Sequence, residues 1–164
     1  DDMAIATHGR SLWIADVSVL RQTDPDSRTE AAKLFKPRNI YSWRSTARRG
    51  NSGTRRFVGR NPENVARVAY VLGKNARRIE LTIVDLKGEI VKRFEQPPAA
   101  RGLHTLEWDL RTEGSGRGRG RFGPRITVGD YRVNLRVDGE LLGFTPVEID
   151  IRPRAVELLM PEPA

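Results

Sequence analysis

Gly129-Asp130-Tyr131-Arg132-Val133-Asn134-Leu135-Arg136-Val137-Asp138-Gly139-Glu140-Leu141 carries the reading of the fold. Tyr131, Val133, Leu135 and Val137 alternate with Arg132, Asn134, Arg136 and Asp138. Successive side chains of a strand point to opposite faces, so such a run buries one face and wets the other. Asp138-Gly139 then reads as a two-residue hairpin turn, because a type I′ turn needs positive φ at both central positions. Beyond the turn, Val147, Ile149 and Ile151 alternate with Glu148, Asp150 and Arg152.

The same pattern extends toward the N-terminus. Ile79, Leu81 and Ile83 alternate with Glu80 and Thr82, and Leu106, Trp108 and Leu110 with Glu107 and Asp109. Leu86-Lys87-Gly88 joins one pair of runs, and Pro97-Pro98 with Gly102 punctuates the next. Strands are predicted over 65–72, 78–85, 89–95, 103–110, 130–138 and 141–151, with a further short one near 125–128. Short, regularly punctuated strands without a convincing helix indicate an all-β, antiparallel β-sandwich. Its expected core is Tyr70, Leu72, Leu81, Ile83, Trp108, Leu135 and Ile149.

Residues 21–64 read differently. They are polar, with Pro, Ser and Arg prominent, and are expected to be a linker. Within them, 27–36 carries the signature of one or two helical turns, with Ser27 as N-cap and Glu30 three residues on; coil leading to Leu34-Phe35-Lys36-Pro37 is the other reading. The first 20 residues hold a second hairpin signal: Met3-Ala4-Ile5-Ala6, the turn Thr7-His8-Gly9-Arg10, then Leu12-Trp13-Ile14. A lone two-stranded hairpin is marginal in water, so these strands are expected to need a sheet from elsewhere. The chain starts at Asp1 and reads as a piece of a longer protein.

Charge is concentrated. The net charge is +8, with Arg outnumbering Lys by 24 to 5. Six Arg and no acid fall within 44–60, and Arg117, Arg119, Arg121 and Arg125 fall within 114–125, again without an acid. Those ten charges exceed the net excess, so the rest of the chain is slightly acidic. With no Cys, neither disulfides nor thiolate metal sites are available. No apolar run of about 18 residues is present to span a membrane as a helix.

The succession of blocks resembles one family. Ala6-Thr7-His8-Gly9-Arg10-Ser11-Leu12-Trp13-Ile14-Ala15-Asp16, followed by Val19-Leu20-Arg21-Gln22, is similar to the closing strands of a bacterial sortilin-like or BNR-repeat β-propeller. Leu34-Phe35-Lys36-Pro37-Arg38 and Gly59-Arg60-Asn61-Pro62 resemble the segments that follow there. Leu81-Thr82-Ile83-Val84-Asp85, Gly88, Val91-Lys92-Arg93, Gly102-Leu103-His104 to Trp108-Asp109-Leu110, and Gly129-Asp130-Tyr131-Arg132-Val133 resemble the immunoglobulin-like module also seen in flagellar hook-capping proteins. The chain departs from the pattern at Glu63 and Val128, where Pro is usual. The resemblance implies propeller strands over 1–20, a linker over 21–64, an immunoglobulin-like sandwich over 65–152 and a tail over 153–164. It also implies an extracytoplasmic protein whose partner is the remainder of the propeller, in the same polypeptide or another.

Candidate chemistry is thin. His8 sits in a Gly turn and His104 at a strand start, and neither has a ligand-like neighbour in sequence, so both are expected to be structural or solvent-facing. Asp109 with Glu113, or Glu148 with Asp150, lack the aromatic platform of a glycosidase cleft, and the Ser-x-Asp-x-Gly-x-Thr-Trp box of BNR glycosidases is missing. No catalytic residue, cofactor or metal is expected. Arg117, Arg119, Arg121 and Arg125 in their Gly-rich stretch are candidate polyanion contacts by phosphate pairing and base stacking; a solvated hairpin loop is the plainer reading, and nucleic acid is disfavoured. Ile5, Trp13, Phe35, Tyr41 and Trp43 are the candidate propeller or domain interface, since aromatics in a polar linker more often anchor it than bind sugar. The expectation is a non-catalytic module that braces the propeller or mediates protein–protein contact. The alternatives are a carbohydrate-binding appendage of a glycosidase and a polyanion binder.

Overall fold

A computed structural model of the chain describes residues 2–9, 11–24, 30–41, 64–114 and 123–150. The strands are β1 (Asp2–Ala6), β2 (Leu12–Asp16), β3 (Ala32–Leu34), β4 (Ile40–Tyr41), β5 (Ala66–Leu72), β6 (Ile79–Val84), β7 (Ile90–Gln96), β8 (Gly102–Trp108), β9 (Gly129–Val137) and β10 (Glu140–Asp150), with one helical turn, α1 (Ser18–Arg21), after β2. They form a five-stranded sheet ordered β4-β10-β9-β6-β7, a three-stranded sheet ordered β3-β5-β8, and a separate two-stranded sheet, β1-β2.

The two larger sheets make an immunoglobulin-like β-sandwich. β3, β5 and β8 stand where strands A, B and E stand in that architecture; β6, β9 and β10 stand for C, F and G, with β7 as C′ beside β6. All seven residues expected in the core are buried, none more than 4% exposed. Tyr70, Leu72 and Trp108 face Leu81, Ile83, Leu135 and Ile149 across the gap between the sheets, within one continuous apolar cluster. Alternation accounts for this: β9 has the odd-numbered residues from Tyr131 to Val137 buried and its even-numbered residues outside.

Turn chemistry also behaves as expected. Asp138 and Gly139 both have positive φ, 51° and 94°, as the type I′ turn between β9 and β10 demands. The Asp138 carboxylate does more, accepting the backbone N–H groups of Arg77 and Arg78 at 2.9 Å each. Those two bonds hold its pKa below the ordinary carboxylate value.

A second marker of the fold is Tyr131. Its hydroxyl donates to the carbonyl of Thr127, four residues upstream, at 2.9 Å, the arrangement of a tyrosine corner at the start of strand F. Its ring meets Trp108 edge-on, centroids 6.0 Å apart, and the Trp108 indole N–H donates to the Arg111 carbonyl at 2.8 Å. β8 ends at Trp108 and not at 110 because Leu110 takes a positive φ of 57° while staying in the core.

Three local expectations are revised. Helical turns over 27–36 do not form in its described part: Ala32–Leu34 is strand β3, paired antiparallel with Leu72, Val71 and Tyr70. The segment read as linker thus supplies two strands, because β4 also pairs, in parallel, with Ile149 and Asp150 of β10. That parallel pair is an exception among the ladders, the others being antiparallel. Finally, residues 125–128 form no strand; Arg125 makes a single bridge to Arg111.

Candidate functional site

The hairpin β1-β2 is the feature the sandwich does not absorb. Met3 pairs with Ala15, Ala4 with Ile14, Ile5 with Trp13 and Ala6 with Leu12. Directly paired residues share a face, so Met3, Ile5 and Trp13 lie on one side and Ile14 and Leu12 on the other. Both faces are apolar and both are open: Ile5 is 41% exposed, Trp13 60%, Leu12 64% and Ile14 71%. A strand that alternates apolar and polar residues expects one wet face; a continuous apolar run expects cover on both. The outer edges of β1 and β2 pair with no other strand among the described residues.

Polar contacts, not apolar burial, hold this hairpin to the sandwich. At its open end Asp2 stands opposite Asp16, a like-charge pair that is unfavourable by itself. Arg38, which precedes β4, answers both. Its guanidinium forks onto the Asp2 carboxylate at 2.6 and 3.0 Å and reaches Asp16 at 3.6 Å. The bond to Arg38 keeps the Asp2 carboxyl below its ordinary pKa. At Asp16 partial burial works in the raising direction, but the bonds from Ser18 and the charge of Arg38 outweigh it, and the net shift is downward. The Arg38 guanidinium is shifted upward, chiefly by its bond to Asp2.

Asp16 also starts the helical turn. It accepts the Ser18 amide at 2.9 Å and the Ser18 hydroxyl, an Asx-turn that satisfies a donor left over at the helix start. Past α1, the Gln22 side-chain amide mimics a strand: it accepts the Lys36 N–H at 2.8 Å and donates to the Lys36 carbonyl at 3.0 Å. Lys33 and Asp24 form an ion pair at 2.7 Å. Between α1 and the outer face of β5-β8 lies an open groove of about 830 Å³, lined among others by Ser18, Val19, Phe35, Arg38, Tyr41 and Arg67.

Of the expected interface residues, Phe35 and Tyr41 come together in this groove; Phe35 is buried, and its amide continues the β3-β5 ladder by donating to the Ala69 carbonyl. Ile5 and Trp13 pair on the hairpin instead. Trp43, Arg117, Arg119 and Arg121 lie outside the described residues, while Arg125 is exposed. His8 is exposed in the hairpin turn. The His104 ring stacks on Tyr70 at 5.4 Å, and its Nε2 lies 2.8 Å from the Ala100 carbonyl, which is a packing role. Arg38 and Gln22 escaped the sequence reading; the only signal was the Asp-x-Ser pattern of an Asx-turn at Asp16, which marks the start of α1 but not its attachments.

No protein-family model matches the chain, and neither does any curated protein. Among solved structures, FlgD from P. aeruginosa is 20% identical with a TM-score of 0.40, over 50% of this chain and 59% of that one. CopC from Methylosinus trichosporium OB3b is 23% identical with a TM-score of 0.34, over 57% of this chain and 80% of that one. The chain therefore spans about 59% of the length of the FlgD structure. The assignment of the sandwich stands on its own strand pairing, and nothing in these likenesses speaks for a propeller. Among the described residues no helix is long and apolar enough to cross a membrane.

Proposed function

We propose that this chain is a non-catalytic bracing module of an extracytoplasmic β-propeller protein, in which the immunoglobulin-like sandwich carries the β1-β2 hairpin as its docking element. The observation that carries the reading is a hairpin apolar on both faces and, among the described residues, unpaired at both edges. An exposed apolar edge strand is a template for pairing with another sheet. A propeller blade is a four-stranded sheet set radially between neighbouring blades, so strands inside it are covered on both faces, which is what these residues require. The resemblance of the sequence from Ala6 to Asp16 to closing propeller strands points to the same occupant.

A photo-reactive amino acid at position 13, in cells expressing the protein, tests this. The expected product is a cross-link to a strand-forming segment of a propeller. Cross-links confined to the sandwich, or none, would sink the proposal.

A glycan-binding role is the second reading. Phe144 is 68% exposed on the outer face of the five-stranded sheet, paired with Asn134 and with the Arg132 guanidinium 5.6 Å from its ring centroid. An aromatic ring beside hydrogen-bonding side chains suits a saccharide. Glycan-array binding lost in Phe144→Ala would favour this reading over bracing. Salt-dependent retention on heparin, lost when Arg117, Arg119, Arg121 and Arg125 are replaced by Ser, would instead favour the polyanion reading.

A further inference from the structure

We infer that Arg38 is a positioning residue for the hairpin: by clamping Asp2 and Asp16 together and to the sandwich, it presents β1-β2 in one orientation, ready to dock as a preformed unit. The inference deepens the docking proposal and rests on it for its purpose, though not for its geometry. A hairpin of five-residue strands extends about 17 Å from base to tip. A small tilt at the base therefore moves the tip by several ångströms, and orientation must be set at the base.

The base holds two opposed carboxylates, and the one cation that reaches both is Arg38 among the described ion pairs. The fork geometry matters. A planar guanidinium meets the two oxygens of Asp2 through separate N–H groups and still touches Asp16 through Nη1. An ammonium is a single point charge on a flexible stem and cannot hold that arrangement. The second attachment, Gln22 on the Lys36 backbone, lies beyond α1 and fixes the helix end, so among the described residues Arg38 is the clamp on the β1 strand. Because the cluster is partly exposed, its hold is screened by salt; the Debye length falls to about 3 Å at 1 M.

The chain has no cysteine, so His8→Cys at the tip and Leu103→Cys on β8 give a unique pair for spin labels. Pulsed electron-spin measurements should show one narrow distance distribution in the parent. Arg38→Ala should broaden it and speed amide exchange in β1 by roughly two- to fivefold, as expected for one exposed, forked ion pair. Arg38→Lys should restore it only in part. The Asp2→Asn, Asp16→Asn double variant, which keeps Arg38, should also broaden it, and 1 M NaCl should do so reversibly. A distribution unchanged in Arg38→Ala and in the double variant would overturn the inference, with the thermal transition of the sandwich confirming that both are folded. The two proposals fail separately: a narrow distribution without cross-links from position 13 removes the docking partner and leaves the clamp, whereas cross-links from a hairpin indifferent to Arg38 do the reverse.

Discussion

Replacing Tyr131 with Phe removes one oxygen and leaves the ring in place. In the parent the hydroxyl donates to the Thr127 carbonyl at 2.9 Å, while the ring packs edge-on against Trp108, whose side chain is fully buried. Phe keeps the edge-on contact and the buried area, so the change isolates the corner bond. A neutral intramolecular hydrogen bond contributes about 0.5–1.5 kcal/mol net. Thr127 is exposed, so its freed carbonyl can take up water, and the loss should fall near 1 kcal/mol and not reach the cost of a buried orphan. For a domain of this size that lowers Tm by about 4–8 °C. Urea unfolding followed by Trp fluorescence gives the free energy, and near-UV circular dichroism checks the aromatic pair. Thr127→Ala is the control: the acceptor is a main-chain oxygen, and the hydroxyl contact to Tyr131 is at the 3.5 Å limit, so stability should barely move. A Tyr131→Phe change under about 0.3 kcal/mol, or one that alters the Trp108 signal, would refute the corner as the source.

Gly73→Ala should detach β3, because a Cβ there would sit 2.0 Å from the Glu30 carbonyl oxygen; overpacking of this kind costs about 1–3 kcal/mol, and amide exchange at Lys33 and Leu34 should rise while that of β9 does not. Trp13→Lys with Ile14→Lys should leave the Tm of the sandwich unchanged while abolishing cross-linking from a neighbouring hairpin position; a lower Tm would mean the hairpin is part of the core. The hairpin clamp should be acid-labile with a definite sign. Asp2 and Asp16 have folded pKa values below 3.8, so their contribution is complete above about pH 4–5 and is lost only as pH falls through the lowered values. The Asp2 and Asp16 carboxyl resonances, at the base of the hairpin and remote from His8 in its turn, should hold steady in an NMR titration from pH 7 to 5 and move below 3.8, and carboxyl movement centred near pH 6 would contradict the assignment. Asp138→Asn should keep the β9-β10 turn, since Asn tolerates positive φ, yet melt below the parent and above Asp138→Ala, because only the charged carboxylate answers the Arg77 and Arg78 amides fully.

Where a strand is long, the sequence announces it. β9 alternates from Tyr131 to Val137, seven of its nine residues, and its turn needs a residue pair that few other contexts favour. β3 and β4 have three and two residues, too few to show a period, and Pro37 between them reads as a breaker. They form because one segment is shared by both sheets: Ala32 to Leu34 complete the edge of β5, and Ile40 and Tyr41 complete the edge of β10. Gly73 looks like an ordinary turn residue until residue 30 is seen against it.

The hairpin divides the same way. That Met3 to Ala6 and Leu12 to Ile14 pair, and that they are apolar, follows from the residues themselves. That both faces stay open, and that Arg38 grips Asp2 from 36 positions away, does not. Alternation, capping and turn geometry act over a handful of bonds, so composition along the chain reports them. Which sheet a strand joins, and which cation meets which carboxylate, depends on closing long loops against the entropy of the unfolded chain. The long strands β5 to β10, the β9-β10 turn and the inward residues were legible in the residues alone. The split of residues 32–41 between two sheets, the corner at Tyr131 and the clamp at Arg38 emerged only once the chain had closed on itself.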